Sequence, residues 1–237
     1  MCQLGLANQD LLRRTLDHGL LSEARELKLL DHHLWGLLHF KTSAFDFVGE
    51  IASGSALLVG EGNLSFTQSL TRKNRIDPRN LTATTFEPHS ELTDETQARA
   101  AKLKRLGVNL LHAVNATNLA ASLGLRSYNS IIFQFPHTGS REPANGRNPN
   151  FVLLYRFLKS AKGHLRPNGK IFVTLVNSSH YTGAFQCEEA AKRAGLQPPE
   201  VYAFDPKAFS GYEHRMAHED AGAIQHHRQF STWVFRK

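Results

Sequence analysis

Two glycines, Gly60 and Gly62, flank Glu61 directly after the apolar run Ala56 to Val59, and Asn63 follows. Glycine permits a tight turn and a close backbone approach, and Asn63 is a good N-cap for a helix from about Leu64. A strand, a glycine turn and a helix start in that order form the first unit of a doubly wound nucleotide-binding sheet, whose turn holds a cofactor against backbone N–H groups. The sixth position of the dinucleotide fingerprint calls for a third glycine, but Ser65 stands there. S-adenosylmethionine has no pyrophosphate to seat and needs only the glycine pair. NAD or FAD, and a plain strand–helix turn without ligand, stay open at this point.

The other chemistry-bearing residues fall where further strands end. Glu87 follows the β-rich run Leu81 to Phe86, where a carboxylate can accept from both hydroxyls of a ribose or can face a helix start. Asn115, Ala116 and Thr117 follow the next run and can meet an adenine edge or close a turn. Phe133-Gln134-Phe135-Pro136-His137 sets an amide, a proline and an imidazole between aromatics. Such a segment can hold a planar base against a ring, with His137 as a general base, a hydrogen-bond donor or a structural histidine. The loop of 14 residues from Pro136 to Pro149 carries Arg141, Arg147, Asn145 and Asn148, and loops of that length inside a domain are usually functional or disordered.

These positions need a frame. Strands are predicted at 56–59, 81–86, 108–114, 130–135, 170–176, 201–204 and 230–235. Helices are predicted at 64–72, from 88–92 to Leu106, across Phe151 to Leu165 with Leu154, Leu158 and Ala161 in register, and over 181–194. Gly107 suits the position after a helix C-terminus, and Pro167-Asn168-Gly169 suits a turn into the fifth strand. Leu92, Ala100, Leu103 and Leu106 share one helical face. Alternating β and α elements imply an α/β fold, a doubly wound and mostly parallel sheet with helices on both faces. Residues 8 to 40 read as two helical pieces broken near Gly19, so residues 1–50 are expected to form an N-terminal helical extension and residues 51–237 the sheet domain.

The chain has 237 residues with 15 Phe and 41% hydrophobic residues, enough for one large core. Two cysteines, Cys2 and Cys187, provide neither a disulfide framework nor a thiolate metal site. His214, His218, His226 and His227 lack the partners that would complete a metal site, so no metal is expected. No signal peptide and no bilayer-length apolar run occur, and the expectation is a cytoplasmic protein with no membrane partner. Lys and Arg number 28 against 21 Asp and Glu, a formal charge of +7 spread along the chain, which favours a polyanionic partner such as RNA.

Three segments together carry more than each alone: Leu58 to Phe66, Phe133 to Gly139, and Gly211-Tyr212-Glu213-His214-Arg215. They resemble the Rossmann-like domain of the large-subunit ribosomal RNA uridine-N3 methyltransferase family, and the resemblance covers about residues 54 to 237. It implies an S-adenosylmethionine-dependent enzyme that methylates N3 of a uridine in ribosomal or other structured RNA, on a base that is unpaired or flipped out. By position, Gly60, Glu61, Gly62, Asn63, Glu87, Asn115, Ala116 and Thr117 fall on the cofactor site, and Gln134, Phe135, Pro136 and His137 on the catalytic motif. Phe133 or Phe135 would stack on the base, while Arg141 and Arg147 would contact phosphate. Asn115 stands where the family typically has aspartate, and Gln134 where it has asparagine. Those departures keep a non-catalytic RNA-binding adaptor in view beside the enzyme, with an NAD-dependent oxidoreductase as a more distant rival.

Overall fold

The computed structural model describes residues 45–139, 146–177, 179–213 and 229–237. The helices expected over residues 8 to 40 lie outside them. Seven strands form one sheet: β1 Ala56–Val59, β2 Leu81–Thr84, β3 Asn109–Leu111, β4 Tyr128–Gln134, β5 Leu165–Val176, β6 Glu200–Phe204 and β7 Phe230–Phe235. Their order is β3-β2-β1-β4-β5-β7-β6. The pairings from β3 across to β5 are parallel, and β7 runs antiparallel to both β5 and β6. The chain moves outward from β1 to β3 and then jumps back to β4 on the far side of β1. That reversal opens a crevice at the carboxyl edge between β1 and β4, where ligands of such sheets bind.

Helices cover both faces. On one side lie α1 (Phe47–Ala52), α2 (Ser65–Leu70) and α3 (Asp94–Arg105), which bury Phe47, Ile51, Phe66, Leu70 and Leu103 with Phe172, Phe204 and Phe209. On the other lie α4 (Ala120–Leu123), α5 (Pro149–Lys162), α6 (Ser179–Phe185) and α7 (Cys187–Ala194), over Phe133, Phe151, Leu154, Phe157 and Leu158. Much of the phenylalanine content packs as edge-to-face pairs, such as Phe47 on Phe172 at 5.5 Å between centroids and Phe133 on Phe157 at 4.9 Å. Packing of the sheet domain takes in Phe45 and Phe47, ahead of residue 51 where the sequence reading begins it. No helix among the described residues is long and apolar enough to cross a membrane.

Several elements differ from expectation for local reasons. The fifth strand starts at Leu165, and 167–169 form an irregularity within it, with Asn168 at φ 60° and a register shift against Tyr128 and Ser130. The helix over 181–194 is two helices, broken where Gln186 takes φ 45°. The segment 88–92 forms a short 3₁₀ turn, and α3 begins only after Thr93, whose hydroxyl accepts from the Thr96 N–H. Leu106, grouped with Leu103 by helical spacing, is 46% exposed because it caps α3 instead of belonging to its buried face.

That last difference is measurable. Leu103→Ala should destabilise the fold by ~2–5 kcal/mol, as for other fully buried leucines. Leu106→Ala should stay within ~0.5 kcal/mol of the parent in chemical denaturation. Equal losses at the two positions would contradict the packing of α3.

Candidate active site

The register Val59 to Phe133 sends Gly60 and Gln134 out of the sheet side by side. The turn after β1 is fastened to the end of β2: the Gly60 N–H donates to Thr84 Oγ1 at 3.3 Å and the Glu61 N–H to Thr84 O at 2.8 Å. Gly60 has φ 66°, and a Cβ there would lie 2.7 Å from Phe133 Cε2, so two constraints require glycine. Gly62 is exposed. Asn63 is not itself the N-cap of α2. Leu64 occupies that position at φ 59° without a side-chain cap, and Asn63 Oδ1 accepts from the Ser65 N–H at 3.1 Å.

Glu61 turns inward. Its buried carboxylate accepts from the Thr67 N–H at 3.1 Å and from the Thr67 hydroxyl. Burial raises its pKa to about 7 against the pull of those two hydrogen bonds and of nearby Arg99. The Arg99 guanidinium in turn donates to Asn63 O and pairs with Glu95 at 2.7 Å. Two of the first three N–H groups of α2, those of Ser65 and Thr67, are therefore already capped by Asn63 and Glu61.

Ser65, the residue in place of a third glycine, has a structural partner 148 residues away. Its hydroxyl donates to Glu213 O at 2.8 Å and accepts from the Glu213 N–H at 3.0 Å, while Asn63 Nδ2 donates to the same carbonyl at 3.0 Å. Arg72 donates to Ser210 O and Lys73 to Ala208 O, so the 206–213 segment is tied along α2. Tyr212 packs edge-on to Phe66 at 5.0 Å, and burial together with Glu61 pushes its phenol pKa up. The described part of the third motif thus braces the glycine turn. His214, Arg215, His218, His226 and His227 lie outside the described residues. Among the described residues no group of three or more His, Cys, Asp or Glu could hold a metal ion.

At the neighbouring strand ends, the Glu87 carbonyl accepts from the Ala113 N–H at 3.2 Å and the Thr85 hydroxyl at 2.7 Å. Its half-buried side chain makes no hydrogen bond or ion pair among the described residues. Asn115 Oδ1 accepts from the Thr117 N–H and hydroxyl at 2.9 and 2.8 Å, so these residues do close a turn, with Ala116 buried beneath it. Sequence reasoning missed two neighbours here. Phe86, read as the last strand residue, is 66% exposed beside Glu87. His112 Nδ1 lies 2.8 Å from Thr85 Oγ1, and because that hydroxyl already donates to Glu87 O, the imidazole is the donor. Burial and the adjacent His89 lower the His112 pKa. A lone histidine after a strand gives no sequence signal of such a role.

The β4 end corrects one expectation and sharpens another. Phe133 cannot stack on a substrate base, since it is buried beneath Gly60 and against Phe157. Phe135 has φ 48° and sets its ring against Phe230 and Phe204, and Pro136 is buried. Gln134 stands out: both polar atoms of its amide are buried and neither has a hydrogen-bond partner among the described residues, as is true also of the Tyr128 hydroxyl at the opposite end of β4. His137 is exposed, and its Nδ1 accepts from the Gly139 N–H at 2.8 Å, so the neutral ring carries its proton on Nε2. Arg147 is exposed, with its guanidinium 5.2 Å over the Phe151 ring. Arg141 lies outside the described residues.

A family model described as rRNA (uridine-N3-)-methyltransferase BTM5-like matches residues 57–216. Heavy metal-associated isoprenylated plant protein 41 of Arabidopsis thaliana is 32% identical over 167 residues, covering 67% of this chain and 32% of that one. Ferredoxin-fold anticodon-binding domain-containing protein 1 of Homo sapiens is 32% identical over 171 residues, 66% of this chain and 27% of its own. The chain thus spans about a third or less of the length of these two relatives. In architecture it is similar to a methyltransferase from Pyrococcus furiosus, with a TM-score of 0.51 at 16% identity over 81% of this chain and 79% of that one.

Glu61 makes stability depend on pH with a definite sign. Its pKa is raised on folding from the ordinary 4.5 to about 7. Its contribution is therefore fully present below about pH 4.5 and is lost as pH rises through 7, a difference of up to ~3 kcal/mol. Glu61→Gln, which keeps an acceptor for Thr67 but cannot ionise, should flatten the decline in stability between pH 5 and 8. Parallel stability–pH curves for the two proteins would show that the carboxylate does not titrate in this range.

Proposed function

Because the chain belongs to the BMT5-like rRNA (uridine-N3-)-methyltransferase family, we propose that its sheet domain transfers a methyl group from S-adenosylmethionine to N3 of a uridine in ribosomal RNA. The observation that carries this reading is the Gln134 amide, buried beside the Gly60 turn with both its donor and its acceptor unmet. Leaving a buried polar group unpaired costs ~1–3 kcal/mol, which a fold bears where a ligand completes the bonding.

The residues present fit the cofactor. Glu87 has a carboxylate free to accept from ribose hydroxyls, and Gly60 to Asn63 form the turn beside it. Two of the first three N–H groups of α2 are already taken by Glu61 and Asn63, which makes that helix start a poor seat for the pyrophosphate that NAD would bring. The Asn115 to Thr117 turn would line the adenine side, with Asn115 Nδ2 as a donor where the related proteins' aspartate has none. When bound, S-adenosylmethionine supplies a methyl group on a sulfonium for in-line displacement.

The chain's own residues then position a base. Gln134 Nε2 donates to a uracil carbonyl, and Oε1 accepts from an N–H or hydroxyl of the nucleotide. The imide proton must leave N3 to solvent water before or during transfer, which delocalises negative charge onto the flanking carbonyls. With Nδ1 engaged by Gly139, His137 is poised as an Nε2–H donor to such a carbonyl, stabilising that charge instead of removing the proton itself. Pro136 and Phe135 fix the backbone between these two side chains, and Arg147, with Arg141, would meet phosphate near the loop. A cytoplasmic setting, where ribosomal RNA is present, accompanies this reading, with the first 50 residues as a helical extension.

The test is transfer of labelled methyl to ribosomal RNA, with N3-methyluridine identified by nucleoside mass mapping. Tight S-adenosylmethionine binding without transfer to any RNA would favour the adaptor. Gln134→Met should leave cofactor affinity unchanged, raise stability by ~1 kcal/mol by removing the unpaired amide, and cut transfer about 100-fold. Loss of stability in that variant would mean the amide already has partners. At His137 the two roles separate: His137→Asn, which retains a donor, should recover most of the rate lost in His137→Ala. A general base would instead leave both variants ~10²–10⁴-fold slow.

A further inference from the structure

Formal charge is not evenly distributed in this chain. Residues 96–187 carry twelve Lys and Arg against a single acid, Glu142, whereas the rest carries sixteen against twenty. The +7 of the whole chain is therefore the residue of a strongly basic middle third and a slightly acidic remainder. That stretch runs from α3 through β3, α4, β4 and α5 to β5 and α6; four of its twelve cations (Arg99, Lys102, Lys104 and Arg105) lie on α3, and the α4–α5 side presents one open groove on its outer surface. Thr117, Asn118, Ala120, Gly124, Ser160 and His164 line it, with Arg156 and Lys159 from α5.

Arg156 and Lys159 stand three residues apart on α5, about one helical turn, so both project to the same side. Both are exposed, and neither has a hydrogen-bond or ion-pair partner among the described residues. No acid lines the groove. Its floor is polar and ordered. His164 is buried and its Nδ1 lies 2.8 Å from Arg126 O; a carbonyl only accepts, so Nδ1 donates and the neutral ring keeps an acceptor at Nε2. Ser160 Oγ accepts from the Leu119 N–H at 2.8 Å and retains its own proton to donate. Thr117, in the turn assigned above to the cofactor's adenine side, is among the groove's lining residues, so the groove adjoins that turn.

We propose that this groove is the track for the RNA strand flanking the target nucleotide, with Arg156 and Lys159 on phosphates and the His164–Ser160 floor beneath the sugars. The proposal rests on the RNA-methyltransferase reading. Cations without internal partners suit a polyanion, and a floor with one donor and one acceptor suits a ribose 2′-hydroxyl, which both donates and accepts.

The experiment measures binding of a fluorescent single-stranded oligoribonucleotide of mixed sequence across a salt series, using the full chain. The parent is compared with Arg156→Ala/Lys159→Ala and with Lys102→Ala/Lys104→Ala, which removes two exposed cations of α3 on the opposite side of the sheet. S-adenosylmethionine affinity is recorded for all three as a check of folding. The groove variant should bind at least tenfold more weakly at low salt, with the slope of log affinity against log salt shallower by about 1.4, as for two lost phosphate contacts on a single strand. The α3 variant should match the parent. An unchanged slope in the groove variant, or an equal change in both variants, would overturn the track. So would displacement of the RNA by an acidic peptide as effective as unlabelled RNA of the same charge. A parent that binds cofactor but no RNA at all would instead sink the methyltransferase reading on which the track depends.

Discussion

The carboxyl edge of this sheet hangs on β1, four residues buried on both faces and hydrogen-bonded to parallel neighbours on each side. Its pairing with β2 brings Thr84 to the glycine turn, and its pairing with β4 brings Phe133 under Gly60 and Gln134 beside it. A shift of one residue in either pairing would invert which side chains face the core. It would also part the Gly60 turn from the Gln134 amide. The helices on both faces serve to keep so short a strand dry, and the cluster of phenylalanines around Phe172 does much of that work on one side.

The sequence foreshadowed this edge well where the signal is local. A run of four apolar residues into Gly-Glu-Gly has few interpretations, and β1 and β7 have the boundaries expected from it. Asn148 and Pro149, which the sequence reading leaves in the loop, instead open α5: Asn148 Oδ1 accepts from the Asn150 N–H and Pro149 is the first helical residue. What local pattern cannot carry is the direction of a side chain at a strand end. Phe133 and Phe135 are alike in sequence, yet one is sealed under a glycine and the other turns to a different cluster because the chain adopts φ 48° between them and Pro136. Glu61 shows the same limit: an acid in a glycine turn reads as a ligand to a cofactor, and its carboxylate serves α2. The charge imbalance of residues 96–187 was present in the sequence all along, but an average over the whole chain conceals it.

Ser65 illustrates how a departure from one fingerprint can be the mark of another. In a dinucleotide fold the third glycine lets helix and strand approach closely. Here the hydroxyl in its place is buried and shared with the Glu213 backbone, so two motifs far apart in the chain make a single construction. The turn is held from three sides: by β2 through Thr84, by Arg99 from α3, and by Glu213. Its shape is therefore set by the fold as a whole and not by its own glycines.

Three residues without the licence of glycine adopt left-handed backbone at this same edge: Leu64 after β1, Ala113 after β3 and Phe135 after β4. Each conformation costs ~1–2 kcal/mol relative to the right-handed alternatives. Folding meets that cost once, before any ligand arrives, out of the burial of the two cores. The rim of the crevice is thus preorganised: its curvature is a property of the empty protein, and the free energy of binding need not be spent on bending it. The same arithmetic makes the edge the place where stability and precision compete. A glycine at any of the three would relax the backbone, and it would also release the single path by which the chain leaves these strands.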